Sequence, residues 1–398
     1  MALKRSPANH DAIGRRSTAD RLSLAAVLAA TLGVGLIFGF QPPLISLILA
    51  RDGASGFEIG TINAVSTVAV IVLGPIYPRL IASLGLRASI AAGTALAVAV
   101  LLLMPRMVTP GAWLFLRFLT GCALGLVWIA SEIWLNRLAT DTSRGKIMGV
   151  YATVFAAGVA AGPVLLQVTG TAGAMPFWVG AAGLLLTSLP LAWVGEPRVP
   201  TSHDGPSRPL LVLIRAAPVV MLAAVVAGLV ESAEISLLPV YGLDSGLSER
   251  MSLLLATVFL AGNVALQLPI GHGADRFGRR PVLAACALIS GLGPLLLPWA
   301  ISIPGLLWPL LFVWGGTMYG FYTQGIALLG ESFAVRELAS ANTAYVMVYC
   351  AGGIVGPGLG GLAIDLWKPT GLVVFVSAAA FVLLAGLALE AATRRRTS

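Results

Sequence analysis

Apolar residues run through this chain in long unbroken blocks, and polar residues are confined to short gaps between them. The blocks lie near 22–49, 57–78, 88–105, 111–136, 147–169, 174–195, 216–241, 251–271, 282–301, 304–329, 340–364 and 370–391. Each approaches the ~20 apolar residues that a helix needs to cross ~30 Å of hydrocarbon. The blocks are apolar all round, so the helices they predict have no face for water. In lipid, a helix satisfies its backbone polar groups within its own segment. The pattern therefore predicts an all-α membrane protein of twelve transmembrane helices.

Composition strengthens that reading. Of 398 residues, 58% are hydrophobic and only 11% are charged, too few polar groups to cover a soluble fold of this length. The net charge of +8 could suggest nucleic acid, but its placement points elsewhere. With both termini in the cytoplasm, twenty of the 25 Lys and Arg residues fall on cytoplasmic segments and four on outside loops, with Arg117 inside a span. That is the positive-inside bias of a polytopic protein in the cytoplasmic membrane. Lys4, Arg5, Arg15, Arg16 and Arg21 at one end, and Arg394, Arg395 and Arg396 at the other, read as topology anchors. The first span is too long for a signal-peptide core. Cys122, Cys286 and Cys350 all lie inside spans and imply neither disulfides nor a metal site.

The chain also repeats itself. Tyr151, Phe155, Gly158, Gly162 and Pro163 recur 194 residues later as Tyr345, Tyr349, Gly352, Gly356 and Pro357. Gly85 and Arg87 recur 193 residues later as Gly278 and Arg280. Two halves of six spans follow: a tail over 1–21, a first bundle over 22–195, a linker over 196–215, a second bundle over 216–391 and a basic tail over 392–398. Parallel repeats of this kind, with a ligand site near the midplane between them, form a transporter architecture.

At this point the sequence resembles the major facilitator superfamily along essentially its whole length. "GHGADRFGRRP" (271–281) resembles the superfamily's cytoplasmic loop signature, G-x-x-x-D-R-x-G-R-R. "RFLTG" (117–121) resembles its fourth-helix R-x-x-x-G signature, and "GVAAGP" and "GGIVGPGLGG" resemble G-x-x-x-G-P. The resemblance implies two pseudo-symmetric six-helix bundles. The strong signatures sit in the second half. The first-half loop, "PRLIASLGLR", has Pro78 in place of Gly and Ala82 in place of Asp.

A charge inside a span costs ~2.5–3.5 kcal/mol on insertion scales and needs a partner or a watery cavity. Arg117, Gly121, Gly125, Trp128 and Glu132 fall along roughly one face of span four. Arg117 and Glu132 are about 22 Å apart along the axis and cannot pair directly. In the family this helix lines the central cavity and the matching Arg is implicated in proton coupling. Glu132 either lines the cavity or meets a cytoplasmic Arg in a static clamp. Glu231 and Glu234, three apart on one face of span seven, cannot both ionise cheaply in a low dielectric, which suits a proton carrier. Both could instead be solvated near the outer surface. Gln41, Asn63, Asn263, Gln267, Tyr319, Tyr322 and Gln324 could bind a solute, or serve as helix–helix hydrogen-bonding residues. Tyr345 and Tyr349 share a face with Gly352 and Gly356 and read as packing residues. Pro42, Pro43 and Pro239 are expected to kink spans one and seven.

The 271–281 segment reads first as a topology anchor, but that leaves Gly271, Asp275 and Gly278 unexplained. In the family the loop Asp and Arg latch one half to the other. Transposed by the repeat, Asp275 is expected to reach the start of span five, near Gly145–Met148 and beside Arg144. Arg276, Arg279 and Arg280 are expected to find Glu331 or Asp141. The sequence carries no G-x-x-x-x-G-K-[ST] and no H-E-x-x-H, and His10, His203 and His272 are scattered, so neither direct ATP use nor a metal-dependent enzyme is expected.

The resulting expectation is a monomeric secondary transporter without cofactor. It would move a small solute by alternating access, coupled to protons, with export favoured. An uptake symporter, or a non-transporting sensor or assembly protein on the same fold, stays open as an alternative.

Overall fold

The computed structural model describes residues 18–107, 109–139, 143–196, 210–334 and 337–397. Among these there is no strand. Twelve long helices follow one another: α1 Thr18–Arg51, α2 Gly56–Leu73, α3 Leu86–Leu103, α4 Pro110–Leu138, α5 Arg144–Thr169 and α6 Met175–Ser188, then α7 Pro218–Asp244, α8 Glu249–Phe277, α9 Arg279–Leu292, α10 Pro304–Ser332, α11 Leu338–Leu366 and α12 Gly371–Thr397. Eleven of the segments built on them are long and apolar enough to cross a membrane. The remaining one, α10, has the length, but Trp308, Trp314, Tyr319 and Tyr322 dilute its hydropathy. Large apolar side chains such as Val168, Leu268 and Leu366 stand almost fully exposed on the outside of the bundle, where lipid would meet them.

Local chemistry sets the helix ends. Ser55 and Glu58 form a reciprocal capping box at the start of α2. Ser248 caps α8 and Thr109 caps α4, where Pro110 then occupies the first turn at no hydrogen-bonding cost. The repeat reappears in the backbone. The α1–α2 turn uses Gly53 at φ 82°, and the α7–α8 turn uses Gly246 at φ 83°. The turns into α3 and α9 use Gly85 at φ 86° and Gly278 at φ 91°. Both pairs are 193 residues apart.

Three expectations need correction. Span two does not continue to 78: α2 stops at Leu73, beside Pro75, and a short helix Tyr77–Leu84 resumes with Pro78 in its first turn. The linker ends in a helix, Leu210–Ala216, with Leu213 buried. Lastly, residues 271–277 are not loop. They form the last two turns of α8, because their polar side chains suit a helix that has emerged from lipid, and Gly278 alone makes the turn.

The two bundles each pack α1 on α5 or α7 on α11 through glycine. A Cβ on Gly35, Gly39, Gly158 or Gly162 would strike the facing backbone of α1 or α5. Gly228, Gly352 and Gly356 do the same between α7 and α11. The Gly-Pro segments with Pro163 and Pro357 are therefore close-packing seams. Pro42, Pro43 and Pro239 lie within α1 and α7, which run on through them.

Candidate functional site

A cavity of about 150 Å³ lies between the halves. Its first-half wall comes from α1, α2, α4 and α5 and includes Gln41, Asn63, Ser66, Thr67, Arg117 and Trp128. Its second-half wall comes from α7 and α11 and includes Glu231, Ser232, Tyr349 and Cys350.

Arg117 reaches this wall from α4 but does not snorkel out of the helix bundle, for only 3% of it is exposed. Its terminal nitrogens donate to Gln41 Oε1 at 2.6 Å, the Asn63 carbonyl at 2.9 Å and Ser66 Oγ at 2.8 Å. Gln41 in turn donates to Thr120 Oγ1 at 3.3 Å, and Asn63 to Ser46 at 2.9 Å. One guanidinium thus ties α4 to both α1 and α2, which a planar fork of five donors does well. The predicted α4 face is only partly a cavity wall. Arg117, Gly121 and Trp128 line it, whereas Gly125 receives the Tyr77 ring, whose hydroxyl donates to the Cys122 carbonyl at 3.2 Å.

On α7, Glu231 faces the cavity and accepts a 2.6 Å hydrogen bond from the Tyr349 hydroxyl. Tyr349 is therefore a site residue as well as a packing residue, correcting the expectation from spacing alone. Tyr322 stacks edge-on against Tyr349 and Tyr345 from α10 but does not reach the wall. Glu234 is fully buried, not solvated at the surface. It borders a separate small space with Pro43, Pro163, Phe259 and Leu260, and neither carboxyl oxygen has a hydrogen-bond partner. Tyr319 lies beside both carboxyls, with its hydroxyl directed at Glu231.

The remaining candidates fall away from the cavity. Glu132 sits beside Trp128 and Tyr151 of its own half and forms no ion pair among the described residues. Asn263 is half-buried, Gln324 is buried, and neither reaches the cavity. Gln267 bonds the Gly316 carbonyl and Thr323, a helix-packing role.

The helix ends opposite those that carry the chain termini form the far end of the bundle. There the halves are fastened. Gly56 and Phe57 at the start of α2 donate their backbone N–H groups to the two oxygens of Asp365 at the end of α11, at 2.7 and 2.9 Å. Arg51 holds the Thr171 carbonyl at 2.8 Å and lies 3.5 Å from Glu249, which also accepts a hydrogen bond from Thr171. Gln167 donates to Thr257 at 2.8 Å. Gly56 and Gly60 of α2 press directly on the α11 backbone at Gly361 and Pro357.

At the terminal end, the predicted latch residues stay within their own half. Arg279 pairs with Glu331 at 3.2 Å, one of the two partners expected, and also bonds the Ala327 carbonyl. Arg280 pairs with Glu390 at 3.2 Å. The first-half counterpart of Glu390 is Glu196, which accepts the Arg87 backbone N–H at 2.7 Å. Arg276 lies over the Phe277 ring. Asp275 is exposed and has no partner among the described residues. Among the described residues, Asp275 makes no contact to the start of α5. Asp141 and the side chain of Arg144 lie outside the described residues.

Sequence reasoning missed Ser66, Thr67, Ser232 and Cys350. Asn63, Ser66 and Thr67 follow i, i+3, i+4 spacing, so helical phase from Asn63 is the signal that would have found Ser66 and Thr67, whereas Ser232 and Cys350 directly follow recognised residues and carry no such signal.

Two six-helix bundles joined in parallel repeat around a central cavity define the class as a membrane transporter fold. The family model described as Major Facilitator Superfamily matches residues 27–257 and 220–397, and the chain belongs to that family. It is 28% identical over 284 residues to an "Uncharacterized MFS-type transporter" of Yersinia pseudotuberculosis, covering 69% of this chain and 71% of the relative. It is 24% identical over 367 residues to the "Uncharacterized MFS-type transporter YcaD" of Escherichia coli, covering 91% and 93%. Among solved structures, the nucleoside transporter NupG superposes with a TM-score of 0.73 at 15% identity, covering 92% of this chain and 98% of that one. A bacterial homologue of the human lysosomal transporter Spinster, inward-facing and occupied, superposes with a TM-score of 0.75 at 14% identity, covering 96% and 98%. These structures share the fold.

Proposed function

We propose that this transporter moves a small organic solute across the cytoplasmic membrane by alternating access, coupled to protons, with export the favoured direction. The observation that carries the reading is the cavity itself. Its wall holds one cation from the first half, Arg117, and one carboxyl from the second, Glu231. A solute and a proton bound there would each be felt by both halves. The space between the halves weighs for transport over a sensor, whose interior would have no need of it.

The bias of Lys and Arg supports cytoplasmic termini. On that orientation the fastened far end faces outward and the cavity belongs to an inward-facing state. The free Asp275 supports the same assignment, since a terminal-end latch would be released in that state.

The test is reconstitution into proteoliposomes with a pH-sensitive dye inside and an imposed proton gradient. Solutes of a broad panel are added in turn. Solute-dependent proton movement is expected, lost in Glu231→Gln. No flux of any solute under either gradient direction overturns the reading.

A further inference from the structure

We infer that the solute is amphoteric: a small molecule whose anionic group is taken by Arg117 and whose protonated amine is taken by Glu231. The inference rests on the transporter reading above and adds a substrate class to it.

The hydrogen-bond inventory of Arg117 is incomplete. Its guanidinium offers five N–H donors, and three hydrogen bonds are present, all to neutral acceptors of its own half. Its Nε is buried with no partner, and no carboxylate pairs with it, among the described residues. A buried cation without counter-charge is costly, and the cost is relieved by an anion that enters with an acceptor aimed at the guanidinium. Protein groups do not supply one here.

Glu231 shows the opposite deficit on the facing wall. One of its oxygens accepts from Tyr349, and among the described residues no Lys or Arg pairs with the carboxyl. Arg117 and Glu231 are the charged residues of the cavity wall among the described residues, and space separates them. A singly charged solute would answer one deficit and leave the other. An amphoteric solute answers both, and because the two residues belong to different halves it ties the bundles together across the cavity. Phe38, Trp128 and Phe155, in mutual contact at 5.8 Å between ring centroids, offer its apolar part a surface on the same wall.

The same geometry explains how binding and protons would be linked. The amine and a proton compete for one carboxyl. The titratable and charged groups that face Glu231 are Glu234 on its own helix, Tyr319 and Tyr322 on α10, Tyr349 and Cys350 on α11, and Arg117 across the cavity.

Cys350 on the wall provides the readout. The purified full-length protein carrying Cys122→Ser and Cys286→Ser is alkylated with a maleimide, and protection by solutes is measured. The solutes are size-matched sets: phenylalanine, its methyl ester, 3-phenylpropionate and 3-phenylpropanol, and the same four forms built on leucine and on tryptophan. The amphoteric member of at least one set is expected to protect at a concentration at least tenfold below its singly charged and neutral relatives. Arg117→Gln should erase its advantage over the ester, and Glu231→Gln its advantage over the acid. The comparison among solutes needs only the two cysteine substitutions, so it stands even where those site variants fold poorly. Protection by ester, acid or alcohol equal to or better than the amphoteric member overturns the inference and leaves the transporter reading intact. Absence of protection by every compound, with Cys350 freely alkylated, also overturns the inference, and the transporter reading then stands or falls on the flux measurement alone.

Discussion

The carboxylate of Asp365 at the end of α11 caps the N-terminus of α2 in the other half, accepting the backbone N–H groups of Gly56 and Phe57. The equivalent junction, between α5 and α8, is built differently. Residue 249, the repeat counterpart of Gly56, is Glu, and it is joined by Arg51 and Thr171 through side chains. One far-end seam is thus backbone against backbone, and the other is a polar bridge with longer reach.

Asp365→Asn tests the tighter seam. The carboxylate is exposed, so the lost charge at a helix N-terminus is worth only about 1 kcal/mol. A two-state equilibrium then shifts roughly fivefold toward an open far end. Spin labels at the exposed positions Asp52 and Trp367 should report a larger share of long distances in the variant. An unchanged distance distribution would show that the glycine contacts alone close this end.

The glycine seams make a sharper prediction. At Gly162 and Gly356 a Cβ would overlap backbone of the facing helix, which cannot move aside as a side chain can. Gly162→Val and Gly356→Val should each cost about 3 kcal/mol or more and lower the melting temperature by roughly 5–10 °C. Gly330→Ala, with nothing within 4 Å of the added Cβ, is the control and should be tolerated. Fluorescence-detected gel filtration after heating checks all three.

Arg117→Lys keeps the charge and removes the fork. A single ammonium cannot reach the Gln41, Asn63 and Ser66 acceptors together, so buried oxygens lose their donors at about 1–3 kcal/mol. Melting should fall by several degrees and flux at least tenfold. Full flux with lowered stability would reduce Arg117 to a structural tie between α1, α2 and α4.

Asp275 has no partner among the described residues, so Asp275→Asn should leave the stability of this state unchanged. If Asp275 latches the terminal end in the alternate state, the variant rests more often with that end open. Faster labelling of a cysteine placed at Val150, which is exposed, is the expected result. An unchanged rate counts against the latch.

The spans were legible because block length carries the signal, and the repeat because glycine and proline recur at fixed spacing with a backbone reason at each. Arg117 and Glu231 stood out because a charge in an apolar run demands an explanation. Tyr349 did not, since a tyrosine at helical spacing beside Gly352 looks the same whether it packs or bonds a carboxyl. Ser232 was silent for a similar reason: small hydroxyls are common on membrane helices and only the cavity gives this one direction. The contact of Gly56 and Gly60 with Gly361 and Pro357 joins residues some 300 apart, with no local pattern to announce it.

The repeat also explains why Glu231 and Glu234 should behave differently. Glu234 lies 193 residues after Gln41, and Leu311 lies 194 after Arg117. Where the first half has a glutamine holding a guanidinium, the second half has a carboxyl facing apolar neighbours without a hydrogen bond. An ionised carboxylate is the costliest occupant of such a place, and a neutral amide of the same shape is a cheap replacement. Glu234→Gln should therefore fold with equal or greater stability and keep flux within about threefold. Glu231→Gln should retain the fold and lose coupling, because Glu231 alone of the two faces the cavity. A folded Glu234→Gln variant with flux reduced more than tenfold would reverse the assignment and make the buried carboxyl the coupling group.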